Sequence, residues 1–320
     1  MLYQTNHVQV VKYHAYAKIN LALRVLGRRE DGYHEVSTLM VPVDISDLVY
    51  VEARPQGLEV ICPELPGLAG HDNLAYRAAK SYFAFRDITG GFKISIQKSV
   101  PAAKGLGGGS SDAAAVLLAI RDLTGDRARL GPETLMDIAS TIGSDVPFFV
   151  GANSKPPLWH GALCTGRGEC IHPVEGGSYW IVLIFPEARI ETKAAYARWD
   201  QLFPGESLIS SKRDNSDCAV SLDLKLHKTI EAFASRDPER LGKSIFNDLE
   251  EPVCSSFPEL TIIKENLLVS GACGAAMTGS GSAVFGICSS REHGLEVRDR
   301  FLGLSQGSSI RQAVVTRTGV

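Results

Sequence analysis

Apolar and polar residues alternate from Ala17 to Val25, with Ile19, Leu21, Leu23 and Val25 on one face and Lys18, Asn20 and Arg24 on the other. That period of two predicts a strand over 15–26. Further strands are predicted at 47–53, 58–62 and 92–98. Leu74, Ala75, Ala78, Ala79, Tyr82 and Phe83 recur at intervals of three and four, which predicts a helix over 73–85 with Asp72 as its cap. The segment 101–114, PAAKGLGGGSSDAA, then leads from a strand into a largely apolar helix over 113–123. Ser110, Ser111 and Asp112 are capping residue types, and Gly125 is a stop. A helix over 132–142 and a short apolar segment at 145–150 follow.

A stretch rich in Gly, Pro and Ser at 151–178 breaks this rhythm and is the expected domain boundary. Beyond it the pattern predicts a buried strand at 180–185 and a helix over 192–202. A polar loop follows at 205–217, then helices near 222–234, 238–246 and 256–269. Two strands fall within 273–288 around MTGSGS, and a last helix starts near 290. Strands mixed with helices in this order indicate an α+β protein.

Composition narrows the function. Hydrophobic residues are 44% and charged residues 22% of the 320, so the chain can bury a sizeable core and is not of a disordered class. A net charge of −3 gives no support for a nucleic-acid or anionic-membrane surface. The seven cysteines form no CxxC pair, so neither a zinc ribbon nor a disulfide framework is indicated, and reduced cysteines in a cytoplasmic protein are expected. The first residues lack the apolar core of a secretory signal, and no uncharged apolar run reaches 18 residues.

Glycine is the informative excess. It crowds two places: Gly105, Gly107, Gly108 and Gly109 in one loop, and Gly271, Gly274, Gly279, Gly281 and Gly286 in another. Glycines ahead of a helix N-terminus let backbone N–H groups close around an anion, and the helix dipole adds about half a positive charge there. Ser110 and Ser111 offer hydroxyls to a phosphate or its metal, so a polyphosphate is the expected ligand of 101–111. Two better-known phosphate loops are excluded: GxxxxGK[ST] is absent, and in GxGxxG counted from Gly105 the sixth place holds Ser110.

Phosphoryl transfer also needs a group that activates the nucleophile and one that neutralises charge. Lys18, on the polar face of an apolar strand beside Asn20, and Asp145, directly before an aromatic run, are candidates. A solvated strand lysine and a helix-flanking aspartate are the bland readings of the same two residues.

At this point the residues match a family. PAAKGLGGGSSDAA resembles the second motif of the GHMP kinases (galactokinase, homoserine, mevalonate and phosphomevalonate kinases), and GAAMTGSGSAVFG at 274–286 resembles their third. AYAKINLALRVLGRREDGYHEV at 15–36 is similar to the first motif in one branch, and GSDVPFF at 143–149 matches that branch too. The four blocks span residues 15 to 286 in the family order. The resemblance implies an α+β, two-lobed GHMP kinase fold: a lobe over 1–167 like ribosomal protein S5 domain 2, a ferredoxin-like lobe over 168–320, and an active site in the cleft between them.

The resemblance further implies ATP-dependent phosphorylation of the 2-hydroxyl of a diphosphocytidyl-linked methylerythritol, on the non-mevalonate route to isoprenoid precursors. Asp145 matches the catalytic aspartate. Lys18 matches the catalytic lysine, whose charge would keep Asp145 ionised. Asn20 would orient the substrate. Tyr33 and His34 match the pair that holds cytosine, and Thr192 and Tyr196 match the substrate threonine and a second stacking aromatic; Tyr196 also reads as a core aromatic. Pro101, Ala102, Ala103, Lys104, Gly105, Leu106, Gly107, Gly108, Gly109, Ser110 and Ser111 would wrap the ATP phosphates, with Asn73 and Leu74 near the adenine. Mg2+ would bridge ATP oxygens without a dedicated protein cage, Ser110 being the candidate ligand.

Lys104 departs from the family, which has a small residue there. Its side chain is expected in solvent, the alternative being a cation beside the phosphates. The expected partner is the small cytidyl-diphosphate substrate, with no nucleic acid or membrane, in a monomer or weak homodimer. The other readings are a homoserine- or mevalonate-type kinase, a non-catalytic ATP- or metabolite-binding relative, and an RNA binder using the S5-like lobe. DGYH followed by Thr192 and Tyr196 speaks against the first, Lys18 with Asp145 against the second, and the acidic balance against the third.

Overall fold

The structure, a computed structural model, describes residues 9–65, 70, 72–87, 90–204, 223–305 and 309–319. The predicted polar loop at 205–217 lies outside the described residues. The chain forms two compact units. One holds Met1–Tyr16, Ser46–Val100 and Gly108–Leu158, the other Ala17–Ile45, Pro101–Gly107 and Trp159–Val320. They are interleaved along the sequence, unlike a single division after residue 167. The reason is that β1 (Val10–Arg28) and β2 (His34–Arg54) are long strands that each belong to both units.

In the first unit, β3 (Gly57–Ile61) runs parallel to β4 (Gly91–Gln97), and β4 pairs antiparallel with the far half of β2, Val51 facing Ile94. The alternation in β4 buries Phe92, Ile94 and Ile96. Its helices are α1 (Leu74–Arg86), α2 (Gly108–Leu123), α3 (Pro132–Ser140) and α4 (Val146–Ala152). Every residue of α2 from Ser111 to Arg121 is buried, because α1, α3 and α4 all pack against it. A helix that is apolar on all sides needs neighbours on all sides.

Three local expectations shift here. The cap of α1 is Asn73 rather than Asp72: Asn73 has extended backbone and its side chain accepts from the Ala75 N–H. The helix α2 begins at Gly108, so Ser110, Ser111 and Asp112 lie inside its first turns rather than ahead of it. The apolar segment at 145–150 is helical, with Pro147 near its start where the missing N–H costs nothing.

In the second unit the near half of β2 pairs with β5 (Ala162–Thr165), which pairs with β6 (Cys170–Pro173). These four-residue strands sit inside the stretch expected as a boundary; they are too short for a period of two to register. An antiparallel sheet is built from β7 (Trp180–Pro186), β9 (Gly274–Met277), β10 (Val284–Cys288) and β11 (Ile310–Arg317), in the order β11-β7-β10-β9.

Among the described residues, the helices of this unit are α5 (Thr192–Leu202), α6 (Leu224–Ser235), α7 (Pro238–Gly242), α8 (Glu250–Cys254), α9 (Glu259–Val269) and α10 (Arg291–Leu304). The helix expected over 238–246 stops at Gly242, and the chain enters the short strand β8 (Phe246–Asn247), which pairs in parallel with β1 at Ala22. The helix expected from 256 starts only after Pro258. Val182 and Ile184 of β7, Val284 of β10, Leu260, Ile263 and Leu267 of α9 and Phe301 of α10 meet in one core. Cys62, Cys164, Cys254, Cys273 and Cys288 are free thiols.

Candidate functional site

The sequence-predicted residues fall into two groups, one per unit. Lys18, Asn20, Tyr33, His34, Pro101–Gly107, Thr192 and Tyr196 belong to the second unit, and Asn73, Leu74, Gly108–Ser111 and Asp145 to the first.

In the second unit, Lys18 and Asn20 are two residues apart on β1 and so share a face. Both are buried, at 4% and 3% exposure, which removes the reading of Lys18 as a solvated strand lysine. The Lys18 Nζ donates to Asn20 Oδ1 (2.6 Å) and to the Gly105 carbonyl (2.7 Å). Asn20 Nδ2 donates to Thr38 Oγ1 (2.8 Å), whose hydroxyl donates to the Ala22 carbonyl (2.7 Å). The Asn20 N–H donates to Thr278 Oγ1 (3.0 Å). Residues from the first, second and third glycine-linked motifs are thus joined around one ammonium.

Gly105 (φ 74°) and Gly279 (φ 56°) make this approach possible. A Cβ on Gly105 would stand 2.2 Å from the Thr278 carbonyl oxygen, and one on Gly279 3.0 Å from the Gly105 oxygen and 3.2 Å from Lys18 Nζ. Both loops need glycine because each passes against the other's backbone. The strip from Pro101 to Gly107 leaves Ala102 and Ala103 exposed and buries Leu106, whose carbonyl accepts from the Lys18 N–H (3.0 Å).

Lys104 corrects the expectation. It is 3% exposed, not in solvent. Its ammonium donates to the carbonyls of Pro186 (2.5 Å) and Ala188 (2.5 Å) and to Ser282 Oγ (3.0 Å). All three protons of the ammonium are used within the protein.

The aromatic group sits on β2 and α5. The His34 ring stacks on Tyr196 (centroids 4.6 Å apart, 27° between planes) and meets Trp199 edge-on at 5.8 Å. Its Nε2 lies 2.7 Å from Asp200 Oδ1. Tyr33 is half exposed, with the Arg167 guanidinium 5.1 Å from its ring centre. At 4.6 Å the His34 and Tyr196 rings are in direct contact, so no base fits between that pair. Thr192, the first residue of α5, holds its Oγ1 2.9 Å from Ser280 Oγ in the third-motif loop.

In the first unit, Asp145 directly precedes α4 and is half-buried, and its side chain does not cap the helix. It is thus a helix-flanking aspartate, as its place before the aromatic run indicated, with no capping bond of its own. Ser111 is fully buried, its hydroxyl held by Asn153 Nδ2 (3.0 Å). Ser110 is half-buried, and its hydroxyl has no protein partner among the described residues. Gly109 is exposed, and a Cβ there would come within 3.8 Å of Leu74 Cδ1. Asn73 caps α1, so its side-chain oxygen already has one partner.

Sequence reasoning missed Asp200, Trp199 and Arg167. The signal for the first two was their spacing, three and four residues beyond Tyr196 on one helical face. It also missed a buried ionic triad beside the first turns of α2. Lys98 bonds Asp47 and donates to Asp112 Oδ2 (2.7 Å), while Asp47 Oδ1 accepts from the N–H groups of Ser99 (2.6 Å) and Val100 (2.8 Å). Burial pushes the Asp112 carboxyl above its ordinary value, against the pull of Lys98. A cavity of about 550 Å³ in the second unit, between Arg24, Trp199, Asn247, Glu250 and Lys264, contains none of the predicted residues. Among the described residues there is no cluster of three or more metal-ligating side chains, and no helix is long and apolar enough to cross a membrane.

Comparison with known proteins bears on all of these residues. The family model for the GHMP kinases N terminal domain matches residues 73–152, and that for the GHMP kinases C terminal matches 229–303. A 4-diphosphocytidyl-2-C-methyl-D-erythritol kinase of Synechococcus sp. (strain JA-3-3Ab) is 36% identical over 89% of this chain and 87% of its own length. One of Moorella thermoacetica is 34% identical over 95% of this chain and 97% of its own. Among solved structures, a 4-(cytidine 5'-diphospho)-2C-methyl-D-erythritol kinase superposes with a TM-score of 0.74 at 33% identity, covering 97% of this chain and 100% of that one. A homoserine kinase from Cytophaga hutchinsonii shares the fold, with a TM-score of 0.72 at 18% identity over 100% of this chain and 98% of its own.

Proposed function

The chain belongs to the GHMP kinase family, among the 4-diphosphocytidyl-2-C-methyl-D-erythritol kinases, and we propose that it transfers a phosphoryl group from ATP to the 2-hydroxyl of 4-diphosphocytidyl-2-C-methyl-D-erythritol. This is a step towards isoprenoid precursors. The observation that carries the reading is the exposed ring of Tyr33 next in sequence to His34, which stacks on Tyr196 and is held beside Asp200. Such a surface suits a nucleotide base and is of no use to a small alcohol such as homoserine or mevalonate.

The residues fit ATP. Gly105 and Gly107 both have positive φ, Ala102 and Ala103 ahead of them are exposed, and α2 starts at Gly108 with its first N–H groups free of helical partners. When bound, ATP supplies the phosphoryl group and Mg2+ neutralises its charge. Ser110 would be the protein ligand of the metal, since Ser111 is already held by Asn153. Asp145 would accept the proton of the substrate hydroxyl. Lys18 would hold positive charge at the reacting oxygens, oriented by Asn20 and the Gly105 carbonyl. Tyr33 offers the open ring face for cytosine, with Tyr196 held against His34 and Thr192 marking the substrate side. Asn73 and Leu74 would lie towards the adenine.

The protein would act in the cytoplasm as a monomer or weak homodimer. A coupled ADP-release assay with the cytidyl-linked substrate, homoserine and mevalonate tests the reading. Turnover is expected with the first alone, and preference for either small alcohol overturns it.

A further inference from the structure

The three partners of Lys104 come from two different segments. Pro186 ends β7 and Ala188 lies in the segment that leads on into α5, and Ser282 lies in the loop between β9 and β10. Ser282 Oγ itself bonds to the Ala188 carbonyl, and the Ala283 N–H donates to the Lys104 carbonyl (3.3 Å). One residue onward, Gly105 holds Lys18; four residues beyond Ala188, Thr192 bonds Ser280. The buried ammonium is therefore the node at which the strip 101–107, the third-motif loop and the entry to α5 meet.

We propose that Lys104 is a positioning residue that keeps these three segments in one register, so that the nucleotide-side strip and the substrate-side helix of this unit are ordered together. The inference rests on the function proposed above for those segments. It also explains the departure from the small residue expected at this position. A short side chain leaves the carbonyls of Pro186 and Ala188 to find other donors, whereas an ammonium with three protons satisfies both and Ser282 at once.

The bonds also require a proton. With the Ser282 hydroxyl donated to Ala188, every partner of Lys104 is an acceptor, and a neutral amine has only two N–H groups. Burial, with Arg311 and Arg189 nearby and only partly offset by Glu187, lowers the Lys104 ammonium to about 8. The tie is complete at neutral pH and loses a bond as pH rises past that value.

The test compares the wild type with Lys104→Met, Ser282→Ala and the double variant. Amide hydrogen exchange is followed at 101–107, 186–190 and 280–283, and the KM for ATP and for the cytidyl-linked substrate is measured at pH 7 and pH 9. In Lys104→Met, exchange is expected to rise in all three segments together, and both KM values to rise about tenfold with kcat less affected. Ser282→Ala is expected to show a smaller version of the same pattern, and the double variant to be no worse than Lys104→Met. Both wild-type KM values should rise between pH 7 and pH 9, while those of Lys104→Met stay flat. Exchange confined to 101–107, or a lower melting temperature with both KM values and the pH response unchanged, overturns the proposal. If the wild type does not turn over the cytidyl-linked substrate, the proposed function fails, and the exchange pattern still decides the role of Lys104.

Discussion

Replacing Gly105 by alanine separates the cost of a backbone angle from the cost of a close approach. At φ 74° the residue is in the left-handed region, where a Cβ costs about 1–2 kcal/mol. The new Cβ would also stand 2.2 Å from the Thr278 carbonyl oxygen, a backbone atom that no side-chain rotation can remove. Forcing the two loops apart adds about 1–3 kcal/mol, the usual range for overpacking. At about 2.1 cal/mol/K per residue, a chain of 320 residues loses about 1.5 °C of melting temperature per kcal/mol. Gly105→Ala should therefore melt about 3–7 °C below the wild type.

Gly125 is the matched control. Its φ is 70°, and nothing lies within 4 Å of its would-be Cβ, so Gly125→Ala carries the angle alone and should fall about 1.5–3 °C. The kinetic readout separates them further. The Gly105 carbonyl is a partner of Lys18 Nζ at 2.7 Å, so displacing it moves the ammonium. Turnover of Gly105→Ala should drop at least about tenfold, the scale of a displaced catalytic group, while Gly125→Ala keeps wild-type kcat. Scanning calorimetry and ADP release on the two variants decide it. If Gly105→Ala melts with Gly125→Ala and retains full turnover, the contact between the two glycine loops is not what positions Lys18.

Other outcomes are equally specific. Asp145→Asn should abolish turnover while ATP still binds by calorimetry, and near-normal kcat would remove it as the base. Lys18→Met should cut kcat severely with a modest change in ATP affinity. Tyr33→Ala should raise KM for the cytidyl-linked substrate about tenfold or more, the loss of one base stack, and an unchanged KM would take Tyr33 out of the site. Burial acts to raise the Asp126 carboxyl, but hydrogen bonds from Tyr82, Thr124 and Arg86 hold it below its ordinary value. Its contribution is present above the unfolded value of about 3.9 and is lost as pH falls through the lowered native one. Asp126→Asn should thus melt lower at neutral pH and converge with the wild type in acid.

The period of two in 15–26, the glycine-rich passage from β4 into α2 and the helix over 192–202 were legible because each is a local pattern with a local cause. Three kinds of feature were not. The strands β5 and β6 are four residues long, below the length at which alternation can be distinguished from chance. The partners of Lys104 are 82 to 178 residues away, and nothing near position 104 announces a carbonyl pair waiting at 186 and 188. Asp200 was hidden for the opposite reason: it is a polar residue at an ordinary helical spacing, and only the position of His34 gives it a task. Asn20 was expected to face the substrate. Much of its hydrogen bonding is spent inside the protein on Lys18, Thr38 and Thr278, partners that only the fold brings to it.

The interleaving of the two units has a consequence for any attempt to take the enzyme apart. The chain passes from one to the other at 16/17, 45/46, 100/101, 107/108 and 158/159. A single cut anywhere between 17 and 158 therefore leaves fragments that each carry an incomplete portion of at least one core. The ribosome cannot release the unit that holds Lys18 until it has made nearly everything after Leu158, although that unit's first strand is among the earliest segments made. Folding should accordingly be late and concerted, and the strip 101–107, the shortest stretch contributed to the second unit, should be among the last parts to acquire its shape.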